Sequence, residues 1–271
     1  MRIANYHTHI YLCKHATGTS EDYIKKAIDE GFEHIGISDH GPLSDELIEI
    51  LQSRRMSEAE FLNVYLPDLN ELKKKYADKI TVLRALEIEY YDHYLTRITT
   101  LREKLDYLVL GQHEIYKDGK YKSTYSRSFD ESDMEIYKNT VVSAMESGLF
   151  KIFAHPELYM YRYPVFNEYC EKVAISIAES ALKNKVALEF NSNGIRSVYL
   201  KNNGILDPKL YKYPYVEFWK VISRFQKENP ELIIVLNDDS HTTDYFNDQF
   251  TQVAYELAKS LDLKITDKLE F

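Results

Sequence analysis

Long apolar runs are missing from this chain. None of its 271 residues belongs to a stretch approaching the ~20 consecutive apolar residues that a membrane-crossing helix needs. Cysteine is scarce. Cys13 and Cys170 are the two present, which excludes a disulfide framework and fits a reduced, cytoplasmic protein. Glycine (9) and proline (7) are sparse, and there is no low-complexity tract or internal repeat. Basic residues are outnumbered, 34 Lys and Arg against 43 Asp and Glu, for a net charge of −9. Nucleic-acid surfaces normally show a basic face, so neither nucleic acid nor membrane is an expected partner. A strand pattern opens within two residues of the start, so no signal peptide is expected.

What is present is alternation. Short apolar, β-rich runs are followed by helical patterns, the signature of βα units. Strands are expected at residues 2–6, 34–38, 81–89, 107–110, 151–154, 186–190 and 232–236. Helices are expected at 20–30, 57–76, 95–104, 131–147, 167–184, 215–227 and 248–261, with a polar insertion at 117–128. Runs such as His34–Ile37 and residues 107–110 read as buried on both faces, as parallel strands are. The chain length suits one α/β barrel. Seven units, with no convincing eighth, predict a distorted (β/α)7 barrel, TIM-like, in a single domain spanning 1–271.

The acids and histidines are placed non-randomly. His7 and His9 close the first strand, and side chains two apart on a strand share a face. Asp39 and His40 end the second. Glu87 and Glu89 lie late in the third. His113 follows the fourth, His155 the fifth, and Asp239 and His241 the seventh, while His15 sits in the loop after the first. Active sites of such barrels lie at the C-terminal strand ends. A lone histidine is more often structural. Seven of nine at one end point to a metal centre. Imidazole and carboxylate suit Zn, Mn or Fe, and the supply exceeds one four-coordinate zinc site. Two or three clustered ions are expected, bridged by Glu87 or by Glu89, which shares its strand face. Cys13 reads as a loop thiol packed nearby. Pro156 is expected to hold His155 extended. The 23 tyrosines read mainly as rim packing.

Together, His7-Thr8-His9, Cys13-Lys14-His15, Ser38-Asp39-His40-Gly41-Pro42, Glu87, His113, Ala154-His155-Pro156 and Asp239-Ser240-His241 resemble the polymerase-and-histidinol-phosphatase (PHP) superfamily. Within it the chain is similar to the monofunctional histidinol-phosphate phosphatases. The resemblance implies a trinuclear centre. One ion would take His7, His9, Glu87 and Asp239. A second would share Glu87 and add His113 and His155. A third would take His15, His40 and His241. The implied reaction is hydrolysis of L-histidinol phosphate to L-histidinol and phosphate by a hydroxide bridging two metals. Arg162 and Arg196 are the expected phosphate contacts, with Glu89 and Glu157 expected at the cationic part of the substrate. Asp39, His40 and Arg196 are the expected catalytic residues, Asp39 as the acid for the leaving group. Rival readings are a related phosphatase acting on phosphotyrosine protein or a nucleotide, and a metal-dependent amidohydrolase. Against the latter stand the missing eighth unit and Gln112-His113 after the fourth strand, where a bridging lysine would be expected.

Overall fold

Seven parallel strands wind into a nearly closed barrel, and its gap lies between the first and last of them. The computed structural model describes residues 2–163 and 165–271. In chain order the elements are β1 (Ala4–Asn5), α1 (Ser20–Asp29), β2 (His34–Ile37), α2 (Asp45–Leu51), α3 (Glu58–Glu60) running through a π turn at Phe61–Tyr65 into α4 (Leu66–Lys75), β3 (Thr81–Ile88), α5 (Leu95–Arg102) and β4 (Tyr107–Leu110). They continue with β5 (Glu114–Lys117), β6 (Lys120–Ser123), α6 (Glu131–Glu146), β7 (Ile152–Phe153), α7 (Glu168–Asn184), β8 (Ala187–Asn191), α8 (Asn193–Lys201), α9 (Val216–Glu228), β9 (Ile234–Asn237) and α10 (Gln249–Ser260).

The barrel order is β1-β2-β3-β4-β7-β8-β9, each pair parallel. Among the described residues no ladder joins β9 to β1. Asn237 Oδ1 instead accepts from the Tyr6 backbone N–H at 2.9 Å, and His9 N–H donates to Ser240 O at 2.9 Å. A bridge from Thr8 to Ser240 completes the seam. The distorted (β/α)7 architecture therefore holds.

Two apolar clusters build it. The larger lies between strands and helices. The smaller fills the barrel itself, with Tyr6, Leu83, Tyr107, Val109, Ile152 and Leu269 among its members. Tyr107 crosses the interior and donates its hydroxyl to Tyr6 O at 2.5 Å. A Cβ at Gly36 would sit 1.8 Å from that hydroxyl, so only glycine lets the ring cross. The C-terminal residues plug one end: Leu269 N–H donates to Tyr6 Oη at 2.8 Å, and the Phe271 ring lies 4.8 Å from that of Tyr107.

Helix starts follow the sequence signals. Thr19 with Asp22, Ser57 with Glu60 and Asp130 with Asp133 form capping boxes. Four features differ from expectation. The insertion contains the hairpin β5–β6, turned at Asp118-Gly119, both at positive φ as a tight hairpin requires. The loop after β2 contains α2, capped by Ser44. The loop after β8 is the helix α8. The 57–76 helix widens to a π turn just before Pro67, which has no N–H to give to the carbonyl four residues back. No helix among the described residues is long and apolar enough to cross a membrane.

Candidate metal centre

The C-terminal strand ends carry a convergence of imidazoles and carboxylates. His7 and His9 leave β1 pointing the same way, and both are buried. Their Nε2 atoms are 3.0 Å apart. Asp239 Oδ1 lies 3.1 Å from His9 Nε2 and 3.7 Å from His7 Nε2. Glu87 Oε2 lies 3.4 Å and 3.5 Å from the same two nitrogens. The other Glu87 oxygen turns elsewhere: Oε1 is 3.1 Å from His155 Nε2 and 3.7 Å from His113 Nε2. A Cβ at Gly111 would meet Glu87 Oε1 at 2.0 Å, so this glycine makes room for the carboxylate.

A third set lies beside the first. His9, His40 and His241 bring ligand atoms within 4.8 Å of one another, as do Cys13, His15 and His241. His15 and His241 approach at 3.1 Å through Nε2. The His15 and His40 rings stack with centroids 5.2 Å apart. His15 is exposed. Thus His40 and His241 group with His9, and His15 joins through His241; the three do not form one tight group of their own.

The donor set fits divalent ions. His40 Nδ1 lies 2.9 Å from Glu87 Oε2 without hydrogen-bond alignment, a buried nitrogen and a carboxylate sharing one space. Other ring nitrogens are held from behind. His7 Nδ1 meets Glu189 Oε1 at 2.8 Å, His9 Nδ1 meets Asp39 Oδ1 at 3.3 Å, and His113 Nδ1 meets Glu89 Oε1 at 2.8 Å. His15 and His241 direct Nδ1 to the carbonyls of Cys13 and Asp239, at 2.8 and 3.1 Å. An oxygen acceptor at Nδ1 fixes the tautomer that leaves the Nε2 lone pair free, the usual outer support of a ligating histidine.

Electrostatics bear the marks of this crowding. Burial alone would push His7 down, but Glu189, Asp239 and Glu87 more than offset it and hold the ring well above its ordinary value. Burial also opposes charge on His9, yet Asp239 and Asp39 raise it to about 9. Burial, with His9 beside it, lowers His241 to about 3. Burial would raise Glu87 and Asp239, but the surrounding imidazoles hold both well below the carboxylate range. Two backbones are strained, His155 at φ 34° and Asp239 at φ 48°, in a region costly for residues with a Cβ. His155 is thus not extended as Pro156 predicts; its N–H turns toward Glu189 Oε2, at 3.3 Å.

An open cavity of about 430 Å³ lies over these groups. Among the residues that line it are Glu87, His113, His155, Asp239, Tyr125 and Tyr213. Five sequence expectations are corrected there. Asp39 is buried behind His9, not in the cavity, and its Oδ1 also accepts from His40 N–H at 2.9 Å. Glu89 does not bridge; it pairs with Arg55 and supports His113. Glu157 is buried in the shell, accepting from Trp219 Nε1 at 2.7 Å and Tyr215 N–H at 3.0 Å. Arg162 is exposed, its guanidinium 5.3 Å over the Tyr161 ring. Arg196 is 1% exposed and fully engaged. It grips Asp248 at 2.8 and 3.0 Å and donates to Tyr245 O at 3.0 Å and Asn193 Oδ1 at 3.2 Å.

Sequence reasoning missed Glu189, Arg54, Arg55 and Asn193. Glu189 had a signal, a lone acid within the buried strand β8. Asn193, the first residue of α8, stands just past the end of β8, and its amide donates to Asp239 Oδ2 at 3.2 Å. The arginines had no signal beyond polarity in a long loop.

Comparison with known proteins places the family and the fold. The family model for the PHP domain matches residues 5–193. The chain belongs to the PHP domain family. A Bacillus subtilis relative named histidinol-phosphatase is 25% identical over 261 residues, 87% of this chain and 92% of that one. The crystal structure of HisK from Listeria monocytogenes superposes with a TM-score of 0.72 at 22% identity, covering 92% of this chain and 99% of that one. Histidinol phosphate phosphatase from Lactococcus lactis, solved with Zn, L-histidinol and phosphate, gives a TM-score of 0.67 at 18% identity over 97% of this chain and 95% of that one. These superpositions place the PHP chain among barrels of the same fold.

Proposed function

We propose that this PHP chain is a metal-dependent phosphomonoesterase that hydrolyses L-histidinol phosphate to L-histidinol and phosphate in cytoplasmic histidine biosynthesis. The observation that carries the reading is the division of one carboxylate. Glu87 Oε2 faces His7 and His9, which are buried, while Oε1 faces His113 and His155, which line the cavity with Glu87 itself. A carboxylate so divided is suited to bridge two cations. The name and near-complete overlap of the Bacillus subtilis relative support the substrate.

His7, His9, Glu87 and Asp239 would hold one ion, Glu87, His113 and His155 a second, and His40 and His241 with His15 a third, as Zn, Mn or Fe. Bound there, divalent ions supply a water acidic enough to attack near neutral pH and positive charge for the phosphoryl oxygens. The chain's own residues do the rest. Glu189, Asp39 and Glu89 fix ring orientation through Nδ1. Asn193 orients Asp239. The Tyr125 and Tyr213 rings wall the cavity, and Glu114 lines it with a carboxyl suited to the cationic end of histidinol.

The test is phosphate release from L-histidinol phosphate by the metal-loaded protein, beside phosphotyrosine, nucleotide monophosphates and simple alkyl phosphates. A preference for histidinol phosphate of a hundredfold or more in kcat/KM is expected. Equal rates across the panel would remove the substrate assignment, and no release from any phosphomonoester would remove the reaction class.

A further inference from the structure

A dianionic phosphoryl group entering this cavity needs cationic partners, and both arginines expected from the sequence lie elsewhere. Arg196 is consumed by Asp248 and three carbonyl oxygens, those of Tyr245, Asn193 and Asp238. Arg162 is not among the lining residues. Apart from histidines, the basic residues lining the cavity are Arg54 and Arg55, from the loop between α2 and α3.

The two differ in a useful way. The Arg55 side chain is 9% exposed and pairs with the buried carboxylate of Glu89 through Nη2. Its Nε donates to Ser53 Oγ at 3.2 Å. Its Nη1 is buried and has no partner among the described residues. Leaving a buried charged donor unpaired is costly, and an anion in the cavity would relieve it. Arg54, next in the chain, is exposed. Guanidinium groups suit tetrahedral oxyanions because their donors lie in a planar fork.

We propose that Arg54 and Arg55 are the phosphoryl-binding cations of this site, Arg55 as a donor fixed by Glu89 and Arg54 as an exposed arm that closes on the anion. The inference rests on the phosphomonoesterase reading above. The bland alternative is that Arg55 only neutralises Glu89, and through it positions His113, while Arg54 is a solvated loop charge.

The experiment titrates inorganic phosphate into the metal-loaded protein by calorimetry, with metal content and thermal midpoint measured on every sample. Arg54→Gln, at an exposed position, should keep both yet bind phosphate about tenfold more weakly, the scale of one lost charge-assisted hydrogen bond. Its KM for the phosphomonoester should rise in parallel. Arg55→Lys keeps the charge but loses the fork, and should weaken phosphate by a similar factor at unchanged metal content. Wild-type phosphate affinity in either variant overturns the role given to that residue. If Arg55→Lys instead sheds metal or unfolds, the bland alternative holds for Arg55, and Arg54→Gln alone decides the exposed arm. Arg54-dependent phosphate binding without turnover of any phosphomonoester would uphold this inference and remove the enzymatic reading. Turnover with KM unchanged in Arg54→Gln would do the reverse.

Discussion

The Glu189 carboxylate, on β8, lies 2.8 Å from Nδ1 of His7, which leaves β1 on the far side of β9. Glu189 is buried, and its oxygens also accept from Asn237 at 2.9 Å and Asn191 at 2.8 Å. The acid is therefore locked before it meets the imidazole. It holds the tautomer that presents Nε2 to Asp239 and Glu87.

Glu189→Gln keeps the shape and removes the charge. Loss of such an outer partner costs roughly 10- to 100-fold in metal affinity. Chelator competition at fixed pH should show a loss of that size with the fold intact by circular dichroism. Wild-type affinity in this variant would mean that His7 orients itself.

The two acids of the third strand separate by their partners. Glu87 touches imidazoles on both sides, whereas Glu89 pairs with Arg55 and His113. Glu87→Gln should lower the metal bound per chain, counted by elemental analysis, and abolish turnover. Glu89→Gln should retain most of its metal and lose stability, by about 3 kcal/mol in urea unfolding, because a buried guanidinium is left without its anion. Equal metal loss in both variants would contradict the division of roles.

Much of this was legible in the chain. The His-X-His pair, the strand-end positions of His113, His155 and Asp239, and the count of seven units all follow from period and placement. What stayed hidden depends on which way a side chain turns at a strand end. Glu87 and Glu89 share a strand face and could not be told apart until Arg55 was placed against Glu89. Arg196 follows a strand on the expected end of the barrel. Yet it lies in a helix, α8, and turns back to Asp248 at the start of α10. Asp39 neighbours the candidate ligand His40 in sequence but stands behind His9 in space. Sequence gives the ring of strand ends; the split between residues facing the cavity and residues behind them needs tertiary contacts.

Arg196 is a structural clamp that reaches the site through the neighbours of Asp239, donating to the Asp238 carbonyl and to Asn193. It holds Asn193, and Asn193 holds Asp239. Its guanidinium also lies 4.7 Å from the Tyr245 ring. Arg196→Met should therefore cost about 3–5 kcal/mol, the scale of a buried pair broken from one side. At about 2–4 °C per kcal/mol, the thermal midpoint should fall by roughly 10 °C. KM for the phosphomonoester should stay within about twofold of wild type when assayed well below that midpoint. A large rise in KM with an unchanged midpoint would return Arg196 to the phosphate.

Glu157 predicts a pH dependence of stability. Burial raises its carboxyl to about 8, against the hydrogen bonds from Trp219 and Tyr215 that lower it. Its Oε2 has no partner among the described residues. The folded chain thus keeps a proton that the unfolded chain gives up near the ordinary value of 4.5. Where the folded state binds more protons, stability falls as pH rises. The penalty is absent below about 4.5, grows at up to about 1.4 kcal/mol per pH unit through the interval, and levels off above about 8. Glu157→Gln keeps a hydrogen-bonding side chain and cannot ionise, so it escapes that penalty. Urea unfolding of the chelator-treated pair from pH 5 to 9 should show the variant gaining on the wild type until about pH 8, then running parallel to it. Curves that stay parallel from pH 5 to 8 would mean that Glu157 is already ionised in the folded protein.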